Sequence, residues 1–319
     1  MSSTSDFSPI TPDALNRCVT IIDQRCLPYE LRLVTLDTVS ATVSAISDMQ
    51  VRGAPLIGIC AAYGVAIGMK ESQTDAAVHD ICRQLSHTRP TAVNLMWAVE
   101  RMRTAVLAVP ENERLEIAWQ EAEKIDRENR LQNEMIGQFG AELIKAYFQR
   151  RQRTVNVLTH CNAGRLATTG WGTALAPIYL AYRAGMPIHV FVDETRPRNQ
   201  GLLTAWELNA FGIPHTVIVD NAGGYLMQQR RIDMVIVGAD RVTRTGDVCN
   251  KIGTYLKALA ASDNQVPFYA AFPLSTIDWM LDDGVAQIPI ENRSTQEIRQ
   301  ITGLAENRTR QTVLVWEKT

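Results

Sequence analysis

Residues 154–164 read TVNVLTHCNAG. The first six residues are rich in β-branched and apolar types and read as a short strand, closed by the glycine-bearing turn that follows. His160, Cys161 and Asn162 come directly after it. A buried structural cysteine belongs in the middle of a core element. This one stands where a strand gives way to a loop, at the carboxyl end, where open α/β sheets keep their ligands.

Working outward, similar runs recur. They are IHVFVD (188–193), HTVIVD (215–220), DMVIVG (233–238), VPFYAAF (266–272) and, late, TVLVW (312–316). Between them lie segments of helical period at Trp171–Ala184, Gln200–Phe211, Gly224–Arg230 and Asn250–Ser262. Continuous apolar strands alternating with helices predict a parallel sheet covered on both faces. Upstream the period is helical: residues 38–51, 53–70, 90–109 and, without a break, 111–148 carry apolar positions every three or four residues. Pro90 stands at a plausible first helical position, and RLVTLD (32–37) reads as a short strand. The chain is therefore read as α/β. A mainly helical N-terminal domain with a short β element spans 1–130, and a Rossmann-like parallel-sheet domain spans 131–319.

Bulk properties narrow the function. The 319 residues are 46% hydrophobic, enough to bury a sizeable core in one large or two smaller domains. Lys and Arg number 32 against 34 Asp and Glu, for a formal charge of −2. That balance gives no electrostatic reason to expect nucleic acid or an anionic membrane. The densest basic patch, RRQR (150–153), reads as a solvated loop. The six cysteines form no CxxC pair, and no Cys/His cluster has zinc spacing, so a reduced, cytoplasmic protein is expected. The N-terminus lacks the cationic start and apolar core of a secretory signal. The longest uncharged stretch, Ala54–Met69, has 16 residues. It is too short to span a bilayer, and its glycines suit a tightly packed buried helix.

Each strand of the second half runs into polar or small residues: His160-Cys161-Asn162, then DETRPRNQG (193–201), DNAGG (220–224), GADR (238–241) with GDVCNK (246–251), and PLSTID (273–278). In an open parallel sheet these ends share one edge, so Cys161, Glu194, Arg196, Gln200, Asp240, Asn250 and Lys251 should converge. GWGTAL (170–175) offers G-x-G but has Leu175 where a third small residue belongs, and it lies well past the strand end. No nicotinamide or flavin is expected. An anion seat fits better. VRGAPLIG (51–58) puts Arg52 just before Gly53 and Ala54 at a helix start, and TRPTAVN (88–94) repeats the design with Arg89. Exposed N–H groups, a helix dipole and a guanidinium fork suit a phosphate.

Each of these residues also has a bland reading. Cys161 could be merely buried, since free cysteine is among the most buried residues. Cys60, within the apolar helix, reads as core. Asp240 could cap a helix, and Asn250 and Lys251 could start one. Asp193 and Glu194 could pair with Arg196 or Arg198, and His160 could be a packed neighbour. The six tryptophans, Trp316 among them, read as core or interface.

Taken in order, DQRCLP (23–28), VRGAPLIG, RPTAVNL (89–95), THCNAGRLAT (159–168), DETRPRNQG, GADRV with GDVCNKIGTY (238–255), and PLSTID with IPIENR (288–293) resemble the blocks of the S-methyl-5-thioribose-1-phosphate isomerases. That branch sits in a wider family with ribose-1,5-bisphosphate isomerases and regulatory subunits of a translation-initiation exchange factor. The resemblance covers nearly the whole chain, from about Asp23 to Arg293. It implies a cytosolic homodimer of methionine salvage that turns an aldose 1-phosphate into a ketose 1-phosphate without metal or organic cofactor. Matched residue by residue, the family's catalytic thiol falls on Cys161 and its acid/base carboxylate on Asp240. Its substrate-binding positions fall on Arg52, Gly53, Ala54, Arg89, Gln200, Asn250 and Lys251. Arg165, Asn292 and the glycines of DNAGG depart from the pattern. A 5-deoxyribose-1-phosphate isomerase is the nearest alternative, and a non-catalytic sugar-phosphate or nucleotide sensor on the same fold is another. A sensor, however, has no need for a thiol facing a carboxylate.

The implied chemistry needs these residue types. A sugar 1-phosphate is locked as a ring, so ring opening needs a proton on the ring oxygen, and Asp240 serves if apolar surroundings raise its pKa. Hydrogen then moves from C2 to C1, either through an enediol with a Cys161 thiolate as base or as a direct hydride shift. A thiolate needs a lowered pKa, which His160, Arg165 and a following helix N-terminus could supply.

Overall fold

The computed structural model describes residues 7–89 and 91–315. The N-terminal part opens with β1 (Ile10–Asp13), β2 (Cys18–Ile22) and β3 (Leu33–Leu36), which form an antiparallel sheet in the order β1-β2-β3. Only β3 was legible as a strand in the sequence. β1 and β2 are short, and one carries a proline, so their pairing decides them. Helices α1 (Val39–Ser47), α2 (Ala54–Gly68), α3 (Asp75–Ser86) and α4 (Val93–Leu107) follow. Every residue of α2 is buried. Its glycines let neighbours close in: a Cβ at Gly58 would lie 2.7 Å from the Asn94 carbonyl oxygen, and one at Gly64 2.7 Å from Thr42 Cγ2. The uncharged stretch is thus the axis of a helical core that gathers Ile10, Ile21, Leu56, Tyr63, Leu95 and Trp119. No helix among the described residues is long and apolar enough to cross a membrane.

Helix α5 (Arg114–Arg151) runs unbroken through residue 130, packing against α2 and α4 and also against α6 (Ala176–Arg183). At its end RRQR is exposed, as the solvated-loop reading expected, but Arg150 and Arg151 still belong to the helix and Arg153 has a partner. It pairs with buried Asp233 at 2.5 Å.

The second part holds β4 (Val155–Thr159), β5 (Ile188–Asp193), α7 (Gly201–Ala210), β6 (His215–Ile218), α8 (Ala222–Gln228) and β7 (Met234–Val237). β8 (Arg241–Thr243), β9 (Val248–Cys249), α9 (Thr254–Asp263) and β10 (Phe268–Ala270) complete it. Five strands make a parallel sheet in the order β10-β7-β4-β5-β6, the alternation read from the sequence. β4 lies at its centre. Val157 pairs with Val190 on one side and Met234 on the other, so β4 is apolar and buried on both faces.

The late run TVLVW does not join this sheet. After β11 (Ile277–Asp278), α10 (Gly284–Gln287) and α11 (Gln296–Arg299), β12 (Gln300–Leu304) pairs antiparallel with β13 (Arg310–Leu314) in a separate hairpin. Its residues are mostly exposed, which separates it from the buried run of β4. Helix bounds also shift. α6 begins at Ala176 rather than near Trp171, and α9 at Thr254, which leaves Asn250 and Lys251 in the loop before it. α4 begins at Val93. Pro90 and Trp316 lie outside the described residues.

Candidate functional site

The strand ends of the parallel sheet meet the N-terminus of α2. Cys161, directly after β4 and His160, adopts a left-handed φ of 67°. Its backbone is clamped on both sides: its N–H donates to Thr195 Oγ1 at 2.8 Å and its carbonyl accepts from Thr204 Oγ1 at 2.8 Å. The loop behind it is anchored by buried Glu207, which accepts from the Arg165 N–H (2.6 Å), the Leu166 N–H (3.1 Å), Asn162 Nδ2 (2.8 Å) and the Tyr179 hydroxyl (2.8 Å). The strand-end reading contains Thr195 within DETRPRNQG without singling it out, and it does not reach Thr204 or Glu207, whose contacts nothing marks locally.

Asp240 stands two residues beyond Gly238, past the end of β7. Its N–H donates to the Cys249 carbonyl at 2.9 Å. Gly238 brings this end against the cysteine loop, since a Cβ there would lie 2.8 Å from Ala163 Cβ. Cys161 and Asp240 act on each other electrostatically, and both feel the Lys251 ammonium. Burial pushes the Asp240 carboxyl above the usual carboxylate range, with Lys251 and Arg89 pulling it back and Glu291 adding to the rise. As a residue Asp240 is exposed, on the open side of the crevice.

Cys161 departs from the lowered thiol that a thiolate base requires. Burial pushes it up, and Lys251, the Asn162 N–H and Arg52 recover only part of the rise while Asp240 adds to it. The three helpers expected from sequence are engaged elsewhere. His160 is bonded to Asp193 and to the Ile252 carbonyl. The Arg165 guanidinium lies against the rings of Phe7, Phe211 and Trp171, 5.0, 5.4 and 6.0 Å from their centroids. The segment following Cys161 forms a single 3-10 turn at Arg165–Ala167, and α6 starts only at Ala176.

Gly53 takes φ 93° as the residue preceding α2, and a Cβ there would overlap the Ala167 backbone. Glycine is thus required for the helix start to press on the cysteine loop. Arg52 beside it is half-buried. Burial lowers its pKa to about 10, with Arg198 adding to the fall. Its Nη2 donates to the Gln24 carbonyl at 3.3 Å, while its Nε is buried without a hydrogen-bond partner. A buried unpaired guanidinium N–H is costly to keep, and an incoming anion would satisfy it. Arg89 also has an unpartnered buried Nε, and its Nη2 pairs with Glu291 at 2.9 Å. The two arginines therefore differ: Arg52 adjoins its helix start, whereas Arg89 sits four residues before α4 and is held by a carboxylate.

Gln200 and Lys251 meet as the strand-end reading expected. With its amide oriented to satisfy both neighbours, Gln200 donates to the Thr195 carbonyl at 3.2 Å and accepts from Lys251 Nζ at 3.3 Å. Asn250 Nδ2 donates to Thr254 Oγ1 at 3.0 Å, so its side chain also braces the start of α9. Arg196 turns outward, donating to the carbonyls of Pro197 (2.9 Å) and Ile298 (3.0 Å). Asp193 pairs with neither Arg196 nor Arg198. His160 and Lys257 hold it instead, at 2.8 and 2.9 Å.

A strap from the C-terminal segment crosses the rim. Glu291 binds Arg89 and Arg293, while Glu297 binds Arg293 (2.7 Å) and Arg198 (2.6 Å). Burial pushes the Glu297 carboxyl up, and Arg293 and Arg198 more than reverse it. Asn292, one of the departures, is exposed beside Glu291. A cavity of about 310 Å³ opens next to Arg52, with Arg196, Arg198 and Arg310 facing Leu27, Tyr29 and Leu203 across it. His160, Asp193 and Asp220 bring ligand-type atoms within 4.8 Å of one another, but the cation at this cluster is the ammonium of Lys257. Gly172 serves packing, since a Cβ there would lie 2.5 Å from the Gly164 backbone, while Gly170 takes a left-handed φ of 76°.

Residues 50–316 match the family described as the initiation factor 2 subunit family. A protein of Methylorubrum populi named methylthioribose-1-phosphate isomerase is 54% identical over 97% of this chain and 85% of its own. The crystal structure of 5-methylthioribose 1-phosphate isomerase from Pyrococcus horikoshii superposes with a TM-score of 0.80 at 38% identity, covering 93% of this chain and 83% of that one. The structure titled translation initiation factor eIF-2B, subunit delta, from A. fulgidus gives 0.77 at 38% identity, over 92% and 85%.

Proposed function

This chain belongs to the initiation factor 2 subunit family, and from that premise we propose how its site works. It is an aldose–ketose isomerase of methionine salvage, converting S-methyl-5-thioribose 1-phosphate to S-methyl-5-thioribulose 1-phosphate. One observation supports the assignment of its residues: the Cys161 thiol, at the carboxyl edge of the sheet, lies within reach of the charges of Asp240, Lys251 and Arg52, and Lys251 also bears on Asp240.

Arg52, through its unpaired buried Nε, and the N–H groups at Gly53 and Ala54 bind the phosphate, with Arg89 closing from the rim. Gln200 and Asn250 orient the sugar hydroxyls, and Lys251 holds the charge between thiol and carboxyl. Asp240, whose carboxyl is shifted upward and so holds its proton more tightly than an ordinary carboxylic acid, gives that proton to the ring oxygen as the C1–O bond breaks. The hydrogen at C2 then moves with its electron pair to C1, and the O2 hydroxyl proton returns to the Asp240 carboxylate as O2 becomes a carbonyl. One proton is lent and one recovered, so the balance closes. The raised thiol supports this hydride route over the enediol route, because the latter needs Cys161 as thiolate. As a neutral thiol, Cys161 packs against the migrating centre and keeps water out.

Substrate carrying deuterium at C2, turned over in ordinary water, tests the route. Deuterium kept at C1 of the product fits the hydride shift, and washout to solvent sinks it. Phosphorus NMR of the same reaction, without added metal or nicotinamide, reports the isomerisation itself.

The helical unit up to about residue 130 supplies the arginines, and the sheet unit from 131 supplies thiol, carboxyl and lysine. Two copies pair through the apolar face of α8 and α9. Tyr225, Ile252, Tyr255 and Leu256 are 61%, 77%, 73% and 61% exposed there, continuous with the Lys251 loop. Leu256→Asp should give monomers by light scattering, and an unchanged dimer removes this interface. The cytoplasm is the compartment that suits six unpaired cysteines, among them Cys60 and Cys82, whose thiols burial pushes up to about 12. A small sugar phosphate, not nucleic acid, is the partner that the near-balanced charge supports.

A further inference from the structure

His160 lies between the thiol and the lysine loop, and the reaction scheme leaves it unused. Its side chain is 1% exposed. Nδ1 faces Asp193 Oδ2 at 2.8 Å, and Nε2 faces the Ile252 carbonyl at 2.7 Å. The Ile252 carbonyl can only accept, so Nε2 is the nitrogen placed to donate to the loop. Lys257 Nζ reaches Asp193 Oδ2 at 2.9 Å and the Asp220 carbonyl at 2.6 Å. Asp193 Oδ2 thus meets both the His160 ring and the Lys257 ammonium. The Asp220 carboxylate in turn accepts the N–H groups of Thr195 and Arg196, both at 2.8 Å.

The second bond matters most. Ile252 follows Lys251, and its own side chain is 77% exposed, so it gives the loop no anchor in the core. Gly253, at φ 101°, comes so close to the ring that a Cβ would lie 2.9 Å from His160 Cε1. The imidazole is therefore wedged between the sheet edge and the Lys251–Gly253 loop. We propose that His160 is a positioning residue, its Nε2–H tying the Lys251 loop to the strand that carries Cys161 and so holding the Lys251 ammonium on the reacting pair. This rests on the reading that Cys161, Asp240 and Lys251 form the site.

Two amide replacements separate the two bonds. In His160→Gln the amide nitrogen stands near the place of Nε2 and keeps the loop bond. In His160→Asn it stands near Nδ1 and keeps only the bond to Asp193. With both variants folded, His160→Asn should lose about 100-fold in kcat, the scale set by ångström misplacement of a working group, while KM moves little. His160→Gln should stay within about fivefold of wild type. Alkylation of Cys161 by iodoacetamide at fixed pH should slow in the Asn variant and not in the Gln variant, because the ammonium that favours the thiolate has drifted. Equal impairment of the two variants, or wild-type kcat and alkylation in His160→Asn, overturns the proposal. Nitrogen-15 NMR of the unaltered enzyme decides if neither variant folds. A proton on Nε2 supports the tie, and a bare Nε2 ends it. Alkylation and NMR need no turnover. A protein that shows the tie yet fails to isomerise would therefore sink the reaction scheme and leave this inference standing.

Discussion

The floor of the crevice and its rim handle charge in different ways. On the floor, Cys161 and Asp240 are held through their backbones, by Thr195, Thr204 and the Cys249 carbonyl, and burial raises both side chains. On the rim, Arg89, Arg198 and Arg293 are bound side chain to side chain by Glu291 and Glu297. Arg52 is the intermediate case, a rim residue sunk so deep that its pKa falls to about 10. A group gripped by its backbone keeps its side chain available for chemistry. A group gripped by an opposite charge must exchange that partner for the ligand. Loss of a floor residue should therefore appear in kcat, and loss of a rim residue in KM.

The largest effect tests the floor. Asp240→Asn should lower kcat by about 10³-fold with KM nearly unchanged, the scale of a lost general acid. A loss confined to KM would move Asp240 to the rim class. Arg52→Ala comes next. Removing a charge-assisted phosphate contact should raise KM by about 30-fold, equivalent to about 2 kcal/mol, and Arg89→Ala should raise it less because Glu291 already occupies that guanidinium. Equal effects would erase the distinction between the arginines.

The pH dependence sharpens the same division. The Asp240 pKa is raised and the proposed scheme uses its protonated form, so kcat/KM should be full below the raised value and fall as pH rises through it. Asp240→Asn should lack that alkaline limb. Alkylation of Cys161 should begin at higher pH than that of a free cysteine, the direction in which burial moves the thiol, and Lys251→Ala should push it higher still. The smallest effect has an unusual sign. Glu291→Gln frees Arg89 from its carboxylate, so KM should fall by about twofold, within the small worth of a partly exposed ion pair. A rise in KM would mean that Glu291 orients Arg89 and does not compete for it.

Much of this was legible along the chain. The five strands of the parallel sheet are local apolar runs with Cys161 and Asp240 just past their ends, and the Arg52-Gly53-Ala54 stretch, read separately as a helix start, does open α2. The departures each have a physical cause. TVLVW has strand composition, but its partner is the exposed β12, a contact that composition does not encode. TRPTAVN repeats the pattern of VRGAPLIG, yet α4 starts only at Val93 and Arg89 meets Glu291 from 202 residues away. The thiol was expected to be lowered by His160 and Arg165, its neighbours in sequence. Asp193 and the Ile252 carbonyl take the first, and an aromatic cluster holds the second.

The sequence by itself determined the order of elements and the residue types at the sheet edge, because apolar period and strand ends are properties of a few consecutive residues. The tertiary structure alone decided which of those residues are available for chemistry. Availability depends on burial and on partners such as Thr204, Glu207, Lys257 and Glu291, which come from distant parts of the chain and are brought near only when the sheet, α2 and the C-terminal strap have packed.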